Sequence, residues 1–195
     1  MTESPVLTVG IIADTHVPDR YNQVSPDIVT FFKQEKVAAI LHAGDISSPL
    51  VIEALERIAP VQAVLGNRDW AFGHSLPLSR ELVYSGVRVG LAHGHGGLKH
   101  YLVDKLRYIQ AGYQFERYRI LLSALFPTSN VIVFGHTHRP EKRLVDGQVF
   151  FNPGAAYPCK ENGFNVSAGL LRIFFDGHFD VDTHSLSNTP PPRAR

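Results

Sequence analysis

Five apolar runs mark the first two thirds of the chain: Val6–Ala13, Val37–Ala43, Val61–Leu65, Val87–Ala92 and Asn130–Phe134. Nearly continuous and rich in β-branched residues, they predict strands buried on both faces, because a strand with one wet face alternates instead. Between the first three lie amphipathic stretches, Pro26–Glu35 and Ser48–Ile58. Ser25-Pro26 and Ser47-Ser48-Pro49 supply N-cap and first-turn signals for two helices. The opening is therefore β-α-β-α-β. From Leu98 to Ala111 the apolar residues Leu98, Tyr101, Leu102, Leu106 and Ile109 recur at spacings of three and four, which predicts a helix with one buried face. A further helix is expected over Phe115–Phe126. After Pro127 the pattern shortens to strands at Asn130–Phe134, Lys142–Val145, Val149–Asn152, Ser167–Phe174 and His178–His184. Asp146-Gly147 and Asp176-Gly177 stand between apolar runs and predict two hairpins, since this dipeptide favours turns that match strand twist.

At 195 residues the chain fits one domain, able to bury roughly 70% of its unfolded surface. A single domain over 1–186 is expected, with 187–195, ending in three prolines and two arginines, too poor in apolar surface to fold and therefore flexible. The net charge of +1 gives no global field for gripping nucleic acid or acidic membranes. No apolar run approaches the roughly 20 residues of a membrane-spanning helix. The single cysteine, Cys159, can form no internal disulfide, and the N-terminus lacks a signal-like pattern, so a cytoplasmic location is expected. What stands out is ten histidines beside one Met, one Trp and one Cys.

Those histidines are not scattered. Each of the five runs is followed at once by a polar, metal-competent cluster: Asp14-Thr15-His16, Gly44-Asp45, Gly66-Asn67-Arg68-Asp69, His93-Gly94-His95 and Gly135-His136-Thr137-His138. Ligands of open α/β sheets bind beyond the carboxyl ends of strands, so five such ends can converge on one crevice. Taken singly, each cluster is weak: Gly-Asp and Gly-Asn are ordinary turn dipeptides, and alternating histidines on an exposed strand can simply face water. Their joint placement points to a site. Imidazole with carboxylate and amide oxygen, without thiolate, suits Mn, Fe, Co, Ni or Zn. Seven donors exceed one tetrahedral zinc and match two ions sharing a carboxylate, a device of phosphoryl-transfer hydrolases.

The clusters resemble the pattern of the calcineurin-like metallophosphoesterases, D-x-H, G-D, G-N-x-[ED], H and G-H-x-H, across Val9 to about Gly154. The H-G-H cluster, G-H-T-H and a following Asn152-Pro153-Gly154 are most similar to the small bacterial and archaeal phosphodiesterase branch. The resemblance implies an α/β fold, a four-layer α/β/β/α sandwich with two mixed β-sheets. It implies two divalent metal ions, manganese first among them: Asp14, His16 and His138 would hold one, Asn67, His93 and His136 the other, and Asp45 would bridge. It further implies hydrolysis of a small phosphodiester by a metal-bridging hydroxide, Asp45 and Asn67 acting through the ions they hold, with Cys159 and the serines as bystanders.

Larger members of that family carry His after the metal-binding Asn, where this chain has Arg68. An arginine cannot give up a proton near neutral pH, but its guanidinium can grip a phosphate oxygen; equally, it can pair with Asp69 or another carboxylate. His95 is a candidate acid group or a loop hydrogen-bonder. Arg20 could reach substrate or stand as a loop cation. His42 is expected to be structural, and His74, His100, His178 and His184 to lie at the surface. Residues 99–128 carry six tyrosines and phenylalanines that could cover the site entrance, complete the core or contact a second copy of the chain, so a homo-oligomer stays open. The rival reading is a non-catalytic protein-binding scaffold, because one branch of the fold is a retromer coat subunit and shares the D-x-H-x-P-x-R opening of Asp14 to Arg20. That branch replaces the Asn of the third motif, so Asn67 favours an enzyme acting on a small phosphate ester.

Overall fold

The computed structural model describes residues 4–72, 75–97 and 110–186, together with residues 101, 103, 106 and 108. Strand β1 (Leu7–Ile12) leads through helix α1 (Pro26–Gln34) to β2 (Ala39–His42), and through α2 (Pro49–Glu56) to β3 (Val61–Ala63). Both helices start as the sequence predicts: Ser25 Oγ accepts from Asp27 N and Ser48 Oγ from Leu50 N, each with proline in the first turn, where a missing N–H costs nothing. β4 (Ser79–Tyr84) and β5 (Val87–Ala92) precede α3 (Phe115–Leu125). Then follow β6 (Val131–Val133), β7 (Pro140–Val145), β8 (Gln148–Pro153), β9 (Val166–Ile173) and β10 (Phe179–Leu186).

The strands form two five-stranded mixed sheets, ordered β10-β9-β1-β2-β3 and β4-β5-β6-β8-β7. β1, β2 and β3 run parallel, as do β5, β6 and β8, while β9, β10, β4 and β7 pair antiparallel at the flanks. Inner faces meet through Val9, Ile11, Leu41, Val89, Leu91, Val133, Phe151 and Leu171. Outer faces are covered by α1 and α2, with Ile28, Phe32, Val51 and Leu55 on Ile12, Ile40 and Leu170, and by α3, with Phe115, Tyr118 and Leu122 on Ile132, Phe134 and Phe150. Four α/β/β/α layers result, as expected, and double burial explains the continuous apolar runs.

β4 is an addition to the sequence-based expectation. Its residues alternate between half-buried and exposed, because it is an edge strand and needs no apolar run. In the stretch expected as a helix over Leu98–Ala111, the described residues 101, 103, 106, 108, 110 and 111 are helical; Leu98, Leu102 and Ile109 lie outside the described residues, as do His74, His100 and 187–195.

Candidate metal centre

Every one of the five clusters stands just beyond a strand, at the ends of β1, β2, β3, β5 and β6, and the parallel runs of the two sheets bring them to one edge of the sandwich. To turn side chains back over that edge, the backbone enters the left-handed region at Asp14 (φ 53), His16 (φ 50), Asp45 (φ 56), His136 (φ 70) and His138 (φ 58). Each such residue costs of order 1–3 kcal/mol, so its surroundings must hold it. They do. Asp14 N donates to Gly44 O at 3.0 Å and His16 N to Asp45 O at 3.0 Å. His136 N donates to Asp14 Oδ2 at 3.1 Å, tying the last cluster to the first. Gly44 and Gly66 allow the close approach: a Cβ on Gly66 would overlap the backbone nitrogen and Oδ1 of Asp45.

Asp69 is the organiser that motif spacing alone did not reveal. Fully buried, its Oδ1 accepts from Ile46 N at 2.8 Å and Ser47 N at 2.7 Å, and its Oδ2 from Asp45 N at 3.0 Å and Gly66 N at 2.7 Å. One carboxylate thus locks the second and third clusters together. It does not pair with Arg68, whose Nη2 lies 2.8 Å from Asp19 Oδ2 instead. Asn152 acts likewise on the last cluster, its Nδ2 donating to Gly135 O at 2.8 Å and Thr137 Oγ1 at 3.1 Å.

The seven expected donors are brought together. His138 Nε2 lies 3.3 Å and His16 Nε2 3.9 Å from Asp14 Oδ1, and the two imidazoles face each other at 3.4 Å. Asp45 turns Oδ2 toward His16 Nε2 at 3.7 Å and Oδ1 toward His93 Nε2 at 3.4 Å, so its carboxylate stands between two groups of donors. Asn67 Oδ1 lies 3.1 Å from His93 Nε2 and 2.9 Å from His136 Nδ1. Ligand atoms of Asp14, His16 and His138 fall within 4.8 Å of one another, as do those of Asp14, Asp45 and His93. Asp14 is therefore the carboxylate common to both groupings by distance, whereas Asp45 is the one whose two oxygens face different sides.

Donor chemistry supplies a test of whether cations fit. His93 Nδ1 donates to the carbonyl of Ala43 at 2.7 Å, and burial lowers this imidazole well below its ordinary pKa, so Nε2 carries a lone pair. That lone pair faces the oxygens of Asp45 and Asn67, three acceptors together, while buried Asp14 Oδ1 receives no aligned hydrogen bond among the described residues. A divalent cation satisfies such a cluster. Without one, the charges adjust. Burial, and next the neighbouring Asp14, push the Asp45 carboxyl well up. Burial also acts to raise Asp14, but charged His138 outweighs it and holds Asp14 well below the carboxylate range. His138 is raised to about 10, burial being outweighed by Asp14, and burial lowers His16 to about 4.

Other candidates separate. His95 is buried, with both ring nitrogens lacking a hydrogen-bond partner among the described residues, and burial lowers it to about 4. It is therefore neutral near pH 7, able to donate one N–H but poorly suited to deliver a proton as an imidazolium. Arg68 and Arg20 border a cavity of about 160 Å³ over His16, Asp45, Asn67 and His136. His42 is fully buried, with Nε2 3.1 Å from Thr15 Oγ1, the structural role expected. His178 is exposed, whereas His184 is half-buried against Phe31. Two residues beyond the motifs reach His138 Nδ1: Tyr157 OH at 3.2 Å and Cys159 Sγ at 4.0 Å. Cys159, expected as a bystander, thus stands beside the site; nothing in its local sequence signals this, because the loop after Asn152-Pro153-Gly154 is placed by tertiary contacts.

The sequence matches the profile of the calcineurin-like phosphoesterase superfamily domain over residues 7–173. A probable metallophosphoesterase of Methanothermobacter thermautotrophicus is 36% identical over 167 residues, 86% of either chain. Among solved structures, Vps29 of Entamoeba histolytica complexed with Zn2+ superposes with a TM-score of 0.67 at 21% identity, covering 93% of this chain and 100% of that one. An archaeal phosphodiesterase described as novel superposes with a TM-score of 0.57 at 20% identity, covering 91% and 100%. With its fold and the cluster order on one sheet edge, the chain belongs to the calcineurin-like phosphoesterase superfamily.

Proposed function

We propose that this chain is a phosphodiesterase of its family, dependent on two divalent metal ions, with a small phosphodiester as substrate. Asp45 carries the assignment: its two oxygens face His16 on one side and His93 on the other, between two groups of donors. Asp14, His16 and His138 would hold one ion and Asn67, His93 and His136 the second, manganese suiting this nitrogen and oxygen donor set as well as Fe, Co, Ni or Zn. Cations bound there supply Lewis acidity toward phosphoryl oxygens and lower the pKa of coordinated water. The chain's own residues orient and confine. Asp69 fixes Asp45, Ala43 fixes the tautomer of His93, and Tyr157 and Cys159 abut the outer nitrogen of His138. Arg68, half-exposed beside the cavity and held by Asp19, would swing its guanidinium onto a phosphoryl oxygen and offset charge that develops there.

Among the described residues, neither Arg68 nor the neutral His95 is suited to protonate a leaving group near neutral pH, and His138 would be engaged as a ligand. Esters with good leaving groups should react best. Manganese-supported hydrolysis of bis-p-nitrophenyl phosphate is the test: activity should vanish with chelator and fall by at least about 100-fold in Asp45→Asn, a loss on the scale of removing one key electrostatic group. Arg68→Ala should reduce kcat about tenfold or more with metal content unchanged. No turnover with any divalent metal, together with substoichiometric metal in the purified protein, would overturn the enzyme reading and leave the protein-binding scaffold. Asn67, absent from the retromer-subunit branch, favours the enzyme. Cys159 is a free thiol, which fits the reducing cytoplasm in which we place the activity.

A further inference from the structure

Beside the metal cluster lies a second cavity, of about 240 Å³, that the hydrolytic scheme above does not use. Among the described residues it is bordered by Tyr101, Tyr108, Tyr118 and Glu161, and it shares His136 and His138 with the metal site. Tyr101 borders both cavities. Joined, the two reach the lower part of the range of roughly 300–1,000 Å³ usual for small-molecule sites.

The walls are specific in kind. Tyr101 and Tyr108 are two helical turns apart and therefore on one face of their helix. The Tyr101 ring stands 6.0 Å from that of His136 and the Tyr118 ring 6.3 Å from it. Tyr118 and its neighbour Phe115 complete the core under α3, but Tyr108 is 44% exposed, a large ring left at the mouth of the site rather than in the core. Glu161, also on the border of the cavity, brings a carboxylate oxygen within 4.8 Å of a ring nitrogen of His138. Its short helix, Lys160–Asn162, is pinned by Asn162, which donates to Ala155 O and Tyr157 O and accepts from Cys159 N. The backbone that carries the acid is thus held in place.

Phenol rings with a carboxylate beside them make a poor seat for a second phosphate and a good one for a flat ring system carrying N–H donors. We propose that this cavity is the subsite for one ester arm of the substrate, and that this arm is a nucleobase-like aromatic group on a nucleoside, stacked against the exposed ring of Tyr108 with an N–H directed to Glu161. The inference rests on the phosphodiesterase reading for its place beside the reacting phosphate, and extends it to substrate class.

The test compares two substrates with the same leaving group, thymidine 5′-p-nitrophenyl phosphate and methyl p-nitrophenyl phosphate, on the full chain with manganese. In both, water adds to phosphorus as the bond to p-nitrophenolate breaks, so only the retained arm differs. The ratio of kcat/KM should favour thymidine by about tenfold or more, and should fall about tenfold in Tyr108→Ala, the effect expected of one stacking ring. Glu161→Gln should lower the same ratio. Equal kcat/KM for the two esters, or a thymidine preference that survives Tyr108→Ala, would overturn the subsite while leaving the phosphodiesterase reading intact. Should neither ester turn over, binding decides independently: thymidine 5′-methyl phosphate should show saturation transfer to its base protons, lost in Tyr108→Ala, and its absence in the unmodified chain would overturn the proposal.

Discussion

Asp69 contributes by holding backbone rather than substrate, and its replacement separates that role from charge. An asparagine there can accept at one position only, so two of the four amides at Asp45, Ile46, Ser47 and Gly66 lose their acceptor. At roughly 1–3 kcal/mol per orphaned buried donor, Asp69→Asn should destabilise by about 3 kcal/mol in denaturant titration and also weaken manganese binding, although Asp69 is not among the proposed ligands. Unchanged stability would mean that the loop is held by other contacts. Asp14, His16, Asp45, His136 and His138 were legible as donors from residue type and order alone. Their left-handed backbone was not, because it follows from the need to fold side chains back over the sheet edge. Nor was the Arg68–Asp19 pair, made across 49 residues of chain between two loops that only the fold brings together.

For α1, cap and packing can be weighed against each other. Ser25→Ala removes one capping hydrogen bond and should cost about 1 kcal/mol, whereas Phe32→Ala empties a fully buried position over β1 and should cost roughly 3–5 kcal/mol. Chemical denaturation of both variants checks the order. A reversed ranking would place the helix's stability in its own turn rather than in the sheet it covers. Strands covered on both faces announced themselves as apolar runs, and the helices by their caps. β4 did not, because an edge strand half open to water keeps polar residues such as Arg80 and Glu81. Residues 99–128 divide physically: Phe115, Tyr118 and Phe126 complete the core under α3, while Tyr101 and Tyr108 border the cavity.

Across the whole molecule, the metal-free chain should be most stable near the ordinary imidazole pKa of 6.5. On the alkaline side, His138, raised to about 10, binds a proton in the folded chain that the unfolded chain releases, so stability falls as pH rises from 6.5 through 10. On the acid side, His16 and His95, both lowered to about 4, are neutral when folded and charged when unfolded, so stability falls as pH drops from 6.5 through 4. Depressed Asp14 adds to the acid loss below its ordinary 3.8. Thermal melts in chelator across pH 4–10 should show this maximum, with the alkaline limb flattened in His138→Gln. Saturating manganese should raise the melting temperature: at 100 times Kd the gain is about 2.7 kcal/mol, or roughly 5–10 °C for a chain of this size. No shift at any manganese concentration would argue against the ion site. Sequence by itself determined the α/β class, the order of the clusters and which side chains could ligate, because buried strands need continuous apolar runs and strand ends collect polar residues. Tertiary structure alone decided how Asp45 divides its oxygens, that Asp69 and Asn152 brace the loops, and that Glu161 and three tyrosines flank the cluster, because these contacts join residues distant in the chain, and no local pattern encodes a distance across two sheets.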